Sequence, residues 1–301
     1  MILIDFNQII ISLSIRELNN TLREEPDDIV EYSAVMNLFL EYVLSVKKKY
    51  SKKYGNIVIC CDNKHFWRKD IFPYYKHSRK KDRETSKFDW KFVFDGMSSI
   101  KKDLVDYFPY RVLEIDKTEA DDIIAILTKE YHHLEKVLIL SSDKDFKQLQ
   151  IYDGVFQYSQ SAGKFLVTDN PLKFLREHII RGDRSDGIPN ILSDDDVFAT
   201  GKRQTSLRKK SIIDMMDISK NPSEFCNEDM IRRYDRNKQL IDFSCIPDEI
   251  VNNILDSFVK SPNGNNRTMM EYFQARRMMM FFMQLDNFKE DINETYTRSI
   301  F

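Results

Sequence analysis

Between positions 119 and 145 five of the seven carboxylates fall in two groups at the ends of the stretch: Glu119, Asp121 and Asp122, then Asp143 and Asp145. The first group lies in K-T-E-A-D-D-I-I-A-I-L-T-K, where Thr118 and Asp121 precede an apolar run and mark a helix start. Acids are favoured there by the positive end of the helix dipole, so capping explains one or two of them but not the whole set. The second group follows Val137–Leu140, an apolar run with the length of a strand buried on both faces, and so lies just past its carboxyl end. In open α/β sheets that edge is where ligands bind. If the two groups converge, like charges 4 Å apart repel by about 4 kcal/mol at an effective dielectric near 20. A hard divalent cation relieves that repulsion, and oxygen-only ligation points to Mg²⁺, with Mn²⁺ able to substitute, rather than to zinc.

The elements that must position these acids are legible as a repeating pattern. M-I-L-I-D-F at residues 1–6 reads as a strand delivering Asp5, and N-I-V-I-C-C at 56–61 as a strand delivering Asp62. From Ser33 to Tyr54 apolar residues recur at 35, 36, 39, 40, 43 and 46, a helical period that Gly55 closes. Three strands each ending in an acid, with helices between them, predict an α/β fold with a mostly parallel central sheet flanked by helices.

Residues 64–91 break the pattern, with ten Lys or Arg against four Asp or Glu, a local charge of +6, interleaved with Phe66, Trp67, Phe72, Tyr74, Tyr75, Phe88 and Trp90. Cations that neutralise phosphates beside aromatic stacking platforms suit single-stranded or branched nucleic acid, which makes Lys69, Lys80 and Lys81 candidate DNA contacts. A second basic element, G-K-R-Q-T-S-L-R-K-K at 201–210, offers Lys202, Arg203, Arg208, Lys209 and Lys210 ahead of a helix expected over 207–216. Between these elements come a hairpin expected over 153–167, a helix over 172–181, and the turn R-G-D-R-S-D-G-I-P-N with Asp183 and Asp186.

Charged residues make up 31% of the 301 positions and the net charge is −2, so overall charge identifies no partner. No run reaches the roughly 18 apolar residues of a membrane span, and the greasy residues 2–15 contain Asp5 without a basic leader, unlike a signal peptide. Cysteines at 60, 61, 226 and 245 lack metal-ligand spacing and suggest a reducing cytoplasm. Beyond about residue 190 the chain reads as helical, and the Met- and Phe-rich segment 268–285 as core.

Taken in order, L-I-D-F, C-D-N-x-x-x-x-W-R-x-D, E-A-D-D, S-S-D-x-D-F, G-D-x-x-D and R-Y-x-x-N-x-x-L-I-D-F-x-x-I-P resemble the flap endonuclease (5′-nuclease) family over nearly the whole chain, and most of all its phage ribonuclease H branch. The resemblance implies a PIN-like α/β nuclease domain over 1–185, with the basic arch at 64–91, and a helical DNA-binding region over 186–301 containing a helix-three-turn-helix. It places Asp5, Asp62, Glu119, Asp121, Asp122, Asp143, Asp145, Asp183 and Asp186 on an acidic site for two Mg²⁺ ions. Asp5, Asp62, Asp121 and Asp143 lean to the first ion and Asp145, Asp183 and Asp186 to the second. Arg68, Lys76 and Arg79 correspond to arch residues that stabilise transition-state charge, and Tyr75 to an aromatic stacking at the scissile nucleotide.

The activity so implied is 5′ to 3′ exonuclease and flap endonuclease cleavage of RNA–DNA hybrids and of duplex, forked or flap DNA, removing RNA primers during replication. The enzyme would be a monomer in the cytoplasm, that of the host if phage-encoded, and would meet replication proteins such as a single-strand-binding protein or a sliding clamp. Gln284–Phe288 is faintly similar to a clamp-binding peptide, although a buried helix end fits as well. Where the family continues G-V-x-G-I-G, this chain has N-I-L-S-D-D-D-V-F-A-T-G-K, which lacks those glycines and would turn Asp194–Asp196 toward phosphates. Two other readings stay open from the residues alone: a toprim- or phosphatase-like metal enzyme, which leaves the basic aromatic segment idle, and a non-catalytic binder of branched DNA, which has no use for the acids.

Overall fold

Continuous apolar runs form the middle of the structure because they can be buried on both faces at once. In the computed structural model, which describes residues 1–24, 32–260 and 262–290, the chain runs through strand β1 (Ile2–Asp5), helices α1 (Phe6–Glu24) and α2 (Tyr32–Tyr54), and strand β2 (Ile57–Cys61). The basic segment follows as α3 (Trp67–Ile71) and α4 (Ser78–Glu84), leading into α5 (Trp90–Tyr107), β3 (Arg111–Glu114), α6 (Ala120–Tyr131) and β4 (Val137–Leu140). A 3-10 helix, Lys144–Ile151, precedes the hairpin β5 (Val155–Ser159) and β6 (Lys164–Leu166). The remaining helices are α7 (Pro171–Arg181), α8 (Lys209–Met215), α9 (Glu228–Ile241), α10 (Asp248–Phe258), α11 (Asn266–Ala275) and α12 (Met279–Phe282).

The sheet order is β3-β2-β1-β4-β5-β6, parallel except for β6. The chain steps outward on one side of β1 through β2 and β3, then crosses to the other side with β4, so the strand order reverses between β1 and β4. That switch point opens a crevice at the carboxyl edge of the sheet. Register brings the acids near one level there: Asp5 pairs with Cys60, two residues before Asp62, and Ile4 pairs with Leu140, so Ser141 stands beside Asp5.

Alternate strand residues feed opposite faces. Ile2, Ile4, Ile57 and Ile59 pack with α1, α2, α5 and the C-terminal Met269, Phe273, Phe281 and Phe288. Leu3, Val58, Val137 and Ile139 pack with α6 and with Phe243, Ile250, Ile254 and Phe258 of the C-terminal half. The expected division at residue 185 is therefore not a division in packing, since residues beyond it complete both faces of the nuclease sheet. The helix expected over 207–216 after the Asp183–Asp186 turn is α8, and residues 182–208 ahead of it form turns and extended chain.

Several further expectations shift. Helix α1 and strand β3 had no sequence assignment. Trp67, Phe72 and Tyr75 of the basic segment are buried, Phe72 and Tyr75 against Ile179, Ile188, Leu240 and Ile241, so they anchor the arch rather than face solvent as stacking platforms. The methionine stripe divides, with Met269 buried and Met279, Met280 and Met283 exposed. Phe288, the anchor of the clamp-like peptide, is fully buried among Phe108, Phe273 and Phe281 and is a core residue instead. Among the described residues no helix is long and apolar enough to cross a membrane.

Candidate active site

The first acidic group gathers at the switch point. Asp5 ends β1 and caps α1, its Oδ1 accepting from the Gln8 amide at 3.1 Å and its Oδ2 from Ser141 Oγ at 2.9 Å. Asp62 reaches the start of α6, where its Oδ1 accepts from the Ala120 amide at 2.8 Å. Asp143 caps the 3-10 helix by accepting from the Asp145 amide at 3.0 Å. With Asp121, these three acids line a cavity of about 490 Å³ that Lys76 and Arg79 also border. Burial pushes Asp5 up to about 7, with the nearby Asp62 adding to it. Burial, then Asp143 and Asp5, hold Asp121 well above the usual carboxylate range. A set of acids that repel one another into protonation is one that a divalent cation would ionise, and this donor set fits such an ion.

A second group lies where β4 and α7 end. Asp145, His178 and Asp183 bring ligand atoms within 4.8 Å of one another. His178 Nε2 lies 3.1 Å from Asp183 Oδ2, which Lys144 also reaches at 2.9 Å, while Asp183 Oδ1 accepts from the Ser185 amide and hydroxyl. Burial would raise Asp183, but His178, Ser185 and Lys144 hold it well below its ordinary value. Burial and then Asp143 lift Asp145 to about 7. His178 had no place among the sequence candidates, and its only signal was a histidine one helical turn before Gly182-Asp183.

The remaining acids are committed to the protein's own cations. Arg68, expected to meet the substrate, is 2% exposed, and its guanidinium donates to Glu119 Oε2 at 2.8 Å, to Asp122 Oδ1 at 2.7 Å and to the Leu240 carbonyl at 2.8 Å. At that burial the guanidinium is out of reach of a substrate phosphate. Asp122 also accepts from Trp67 Nε1 and from the Glu119 amide, closing a capping box on α6. Glu119 accepts from Arg68, Tyr75 and Lys76; burial would raise it, yet Lys76 and Arg68 hold it at about 2. Both acids were expected on metal, and here they frame the site instead.

Asp186 sits apart from Asp145 and Asp183 in its contacts. It accepts from Tyr75 Oη at 3.0 Å and from Arg79 Nη2 at 2.6 Å, with Lys76 Nζ at 3.8 Å. Gly187 makes this approach possible: its φ is +71°, and a Cβ there would lie 2.8 Å from the Tyr74 carbonyl, so only glycine lets the 183–188 turn close on the arch. The Lys76 amide then donates to the Asp186 carbonyl at 2.8 Å, and Lys76 itself takes φ +54°, which turns its ammonium inward. Tyr75 is buried with its hydroxyl occupied, so it does not present a stacking face. Of Arg68, Lys76 and Arg79, it is Arg79 that reaches solvent, with 45% of its side chain exposed.

Of the expected backbone contacts, Lys69, Lys202, Arg203 and Arg208 are exposed. The side chains of Lys80, Lys81, Lys209 and Lys210 lie outside the described residues. A second cavity, of about 670 Å³, runs from Asp62 under the arch past Phe66, Lys69, Arg83 and Phe88. Asp194 and Asp195 do not confront phosphates unpaired, because Arg233 takes Asp194 and Arg232 and Arg236 take Asp195.

The family model described as the 5′-3′ exonuclease, N-terminal resolvase-like domain matches residues 2–173, and the one described as T4 RNase H, C terminal, matches residues 174–294. The chain is 35% identical over 275 residues to the ribonuclease H of Enterobacteria phage T4, covering 87% of this chain and 88% of that protein. It is also 36% identical over 84 residues to the flap endonuclease Xni of Shewanella pealeana, across 28% and 29% of the two chains. Among solved structures it is similar to the T5 5′-exonuclease with zinc bound, at a TM-score of 0.56 and 16% identity over 86% of this chain and 98% of that one. A T5 flap endonuclease in a complex with DNA and metal ions gives a TM-score of 0.55 at 17% identity, over 86% and 99%. These two likenesses concern the fold.

Proposed function

This chain belongs to the 5′-3′ exonuclease family, and from that premise we propose that it is a magnesium-dependent nuclease that degrades RNA–DNA hybrids and flap or forked DNA from a 5′ end. The observation that carries this reading is the convergence of Asp5, Asp62, Asp121 and Asp143 at the sheet switch point beneath Lys76 and Arg79. Two divalent cations bound there would activate the attacking water and steady the leaving oxygen. Asp5, Asp62, Asp121 and Asp143 would hold the first, and Asp145 with Asp183 the second.

The protein's own residues divide the remaining work. Arg79, exposed and hinged on Asp186, reaches for the phosphate and stabilises the charge that develops on it. Lys76, tied to Glu119 and Asp186, keeps the crevice electropositive on its arch side. Arg68 and Asp122 position Glu119 and the start of α6, and with it Asp121. The cavity under the arch, bordered by cations and aromatic rings, suits the single-stranded 5′ side, while the exposed cations near α8 suit the duplex behind the cut. A site that acts on the phosphate alone needs neither a base nor a 2′-hydroxyl, so the cut strand can be RNA or DNA. In this role the enzyme removes RNA primers as a monomer in the cytoplasm, meeting a single-strand-binding protein or a sliding clamp.

The test is digestion of RNA–DNA hybrids and DNA flaps labelled at either end, with Mg²⁺ and with EDTA. Short 5′-phosphorylated fragments that appear only with the metal are expected. Progressive shortening from the 3′ end, or equal cutting in EDTA, overturns the reading.

A further inference from the structure

His178 is held for a role that the carboxylates do not need it to fill. Its side chain is 5% exposed and packs edge-on to Phe174 at 5.7 Å between ring centres, which confines the ring. A carboxylate only accepts, so the contact of Nε2 with Asp183 Oδ2 at 3.1 Å means that Nε2 carries a hydrogen. The other nitrogen, Nδ1, is buried without a hydrogen-bond partner, and so is Asp145 Oδ1, which faces it at 3.4 Å. Two buried polar atoms aimed at each other across that gap, with neither satisfied, mark a place for a third atom between them.

Two donors each about 2.1 Å from one ion, at the 90–110° of octahedral or tetrahedral coordination, lie about 3.0–3.4 Å apart. The Nδ1 to Oδ1 gap falls at the upper end of that range. A ring nitrogen facing the ion while the other donates to a carboxylate is the arrangement that orients metal-bound imidazoles. Lys144 shares Asp183 Oδ2 but is half exposed and free to swing clear.

We propose that the second cation position is a mixed nitrogen–oxygen site in which His178 Nδ1 and Asp145 Oδ1 ligate the ion and Asp183 orients the imidazole. Such a site takes Mn²⁺, Co²⁺ or Zn²⁺ in preference to Mg²⁺, because imidazole suits the softer dications and oxygen donors suit the harder one. The inference rests on the metal-dependent reading above and refines its second ion, moving Asp183 from ligand to the group that orients His178.

The test loads the full chain with Mn²⁺ and records nitrogen hyperfine coupling by pulsed electron paramagnetic resonance, which needs no catalytic turnover. Directly bound imidazole nitrogen is expected in the wild type. It should be lost in His178→Gln, whose amide still donates to Asp183, and kept in a His65→Gln, His77→Gln control. By calorimetry, Co²⁺ affinity at one site should fall about tenfold or more in His178→Gln, with Mg²⁺ affinity changing far less. Bound Mn²⁺ without that coupling, or equal losses for Co²⁺ and Mg²⁺, overturns the role of His178 and leaves the nuclease reading standing. A protein that binds no Mn²⁺ overturns both.

Discussion

Arg68 Nη1 lies 2.8 Å from Glu119 Oε2, with 3% and 1% of the two side chains exposed. The pair joins the base of the arch to the first turn of α6, and it makes Arg68 part of the frame instead of the substrate surface. Arg68→Ala leaves Glu119 with only Lys76 and Tyr75, and Asp122 without any cation. Breaking a buried pair in this way costs about 3–5 kcal/mol, to be read from chemical denaturation. Arg68→Lys should recover only part of it, since one ammonium cannot serve two carboxylates and the Leu240 carbonyl in the fixed fork that guanidinium offers. Stability within about 1 kcal/mol of wild type, with loss of rate alone, would return Arg68 to the substrate.

Arg79→Ala should behave in the opposite way. Its side chain is half exposed, so stability should change by about 0.5 kcal/mol or less. The single-turnover rate at saturating DNA should fall by about 100-fold. Binding should weaken less, and the salt slope should become shallower by about one unit. An unchanged single-turnover rate assigns Arg79 to backbone contact only.

Asp121→Asn removes one charge from the crowded group while keeping its shape. Cleavage should fall below a few per cent of wild type. The melting temperature in EDTA should hold or rise, because Asp143 and Asp5 no longer repel a third carboxylate. A melting point that drops in EDTA would make Asp121 a structural residue.

The metal-free protein should lose stability as pH rises. Asp5 and Asp145 titrate near 7 when folded and near about 3.9 when unfolded. Between those values the folded state holds more protons, so stability is greatest at the acid side and is lost as pH passes through about 7. His178, also raised, adds to the same slope, with burial opposing and Asp183 and Asp145 prevailing. Glu119 and Asp183 are held low and are ionised in both states above about pH 6, so they add no slope there. Thermal melts in EDTA from pH 5.5 to 8.5 should show a fall of about 3 °C or more, and saturating Mn²⁺ should remove it. A flat or rising profile in EDTA contradicts the crowding.

Much of this protein is local in origin and was legible in the sequence. Ile2–Asp5, Ile57–Cys61 and Val137–Leu140 are short apolar runs of strand length, and each hands its acid to the same sheet edge. The α/β order, the hairpin, α7 and the basic character of the arch follow in the same way from periodicity, turn residues and charge. Helix α1 escaped because Ile9, Ile10 and Ile11 suit a strand as well as a helix, and β3 because four residues with charged ends at a sheet edge carry little pattern.

What tertiary structure alone decided is which like residues differ. Arg68 and Arg79 belong to one basic segment, yet one meets Leu240, 172 positions away, and loses its water, while the other stays at the surface. Glu119 and Asp122 face cations while Asp5 and Asp121 face other acids, although all four end or begin elements in the same style. Met269 is covered and Met283 is not. His178 becomes a ligand candidate only because a distant strand end brings Asp145 to its bare nitrogen. Residue type sets what a side chain can do, but desolvation and the charge it faces set what it does, and those depend on contacts that no local spacing records.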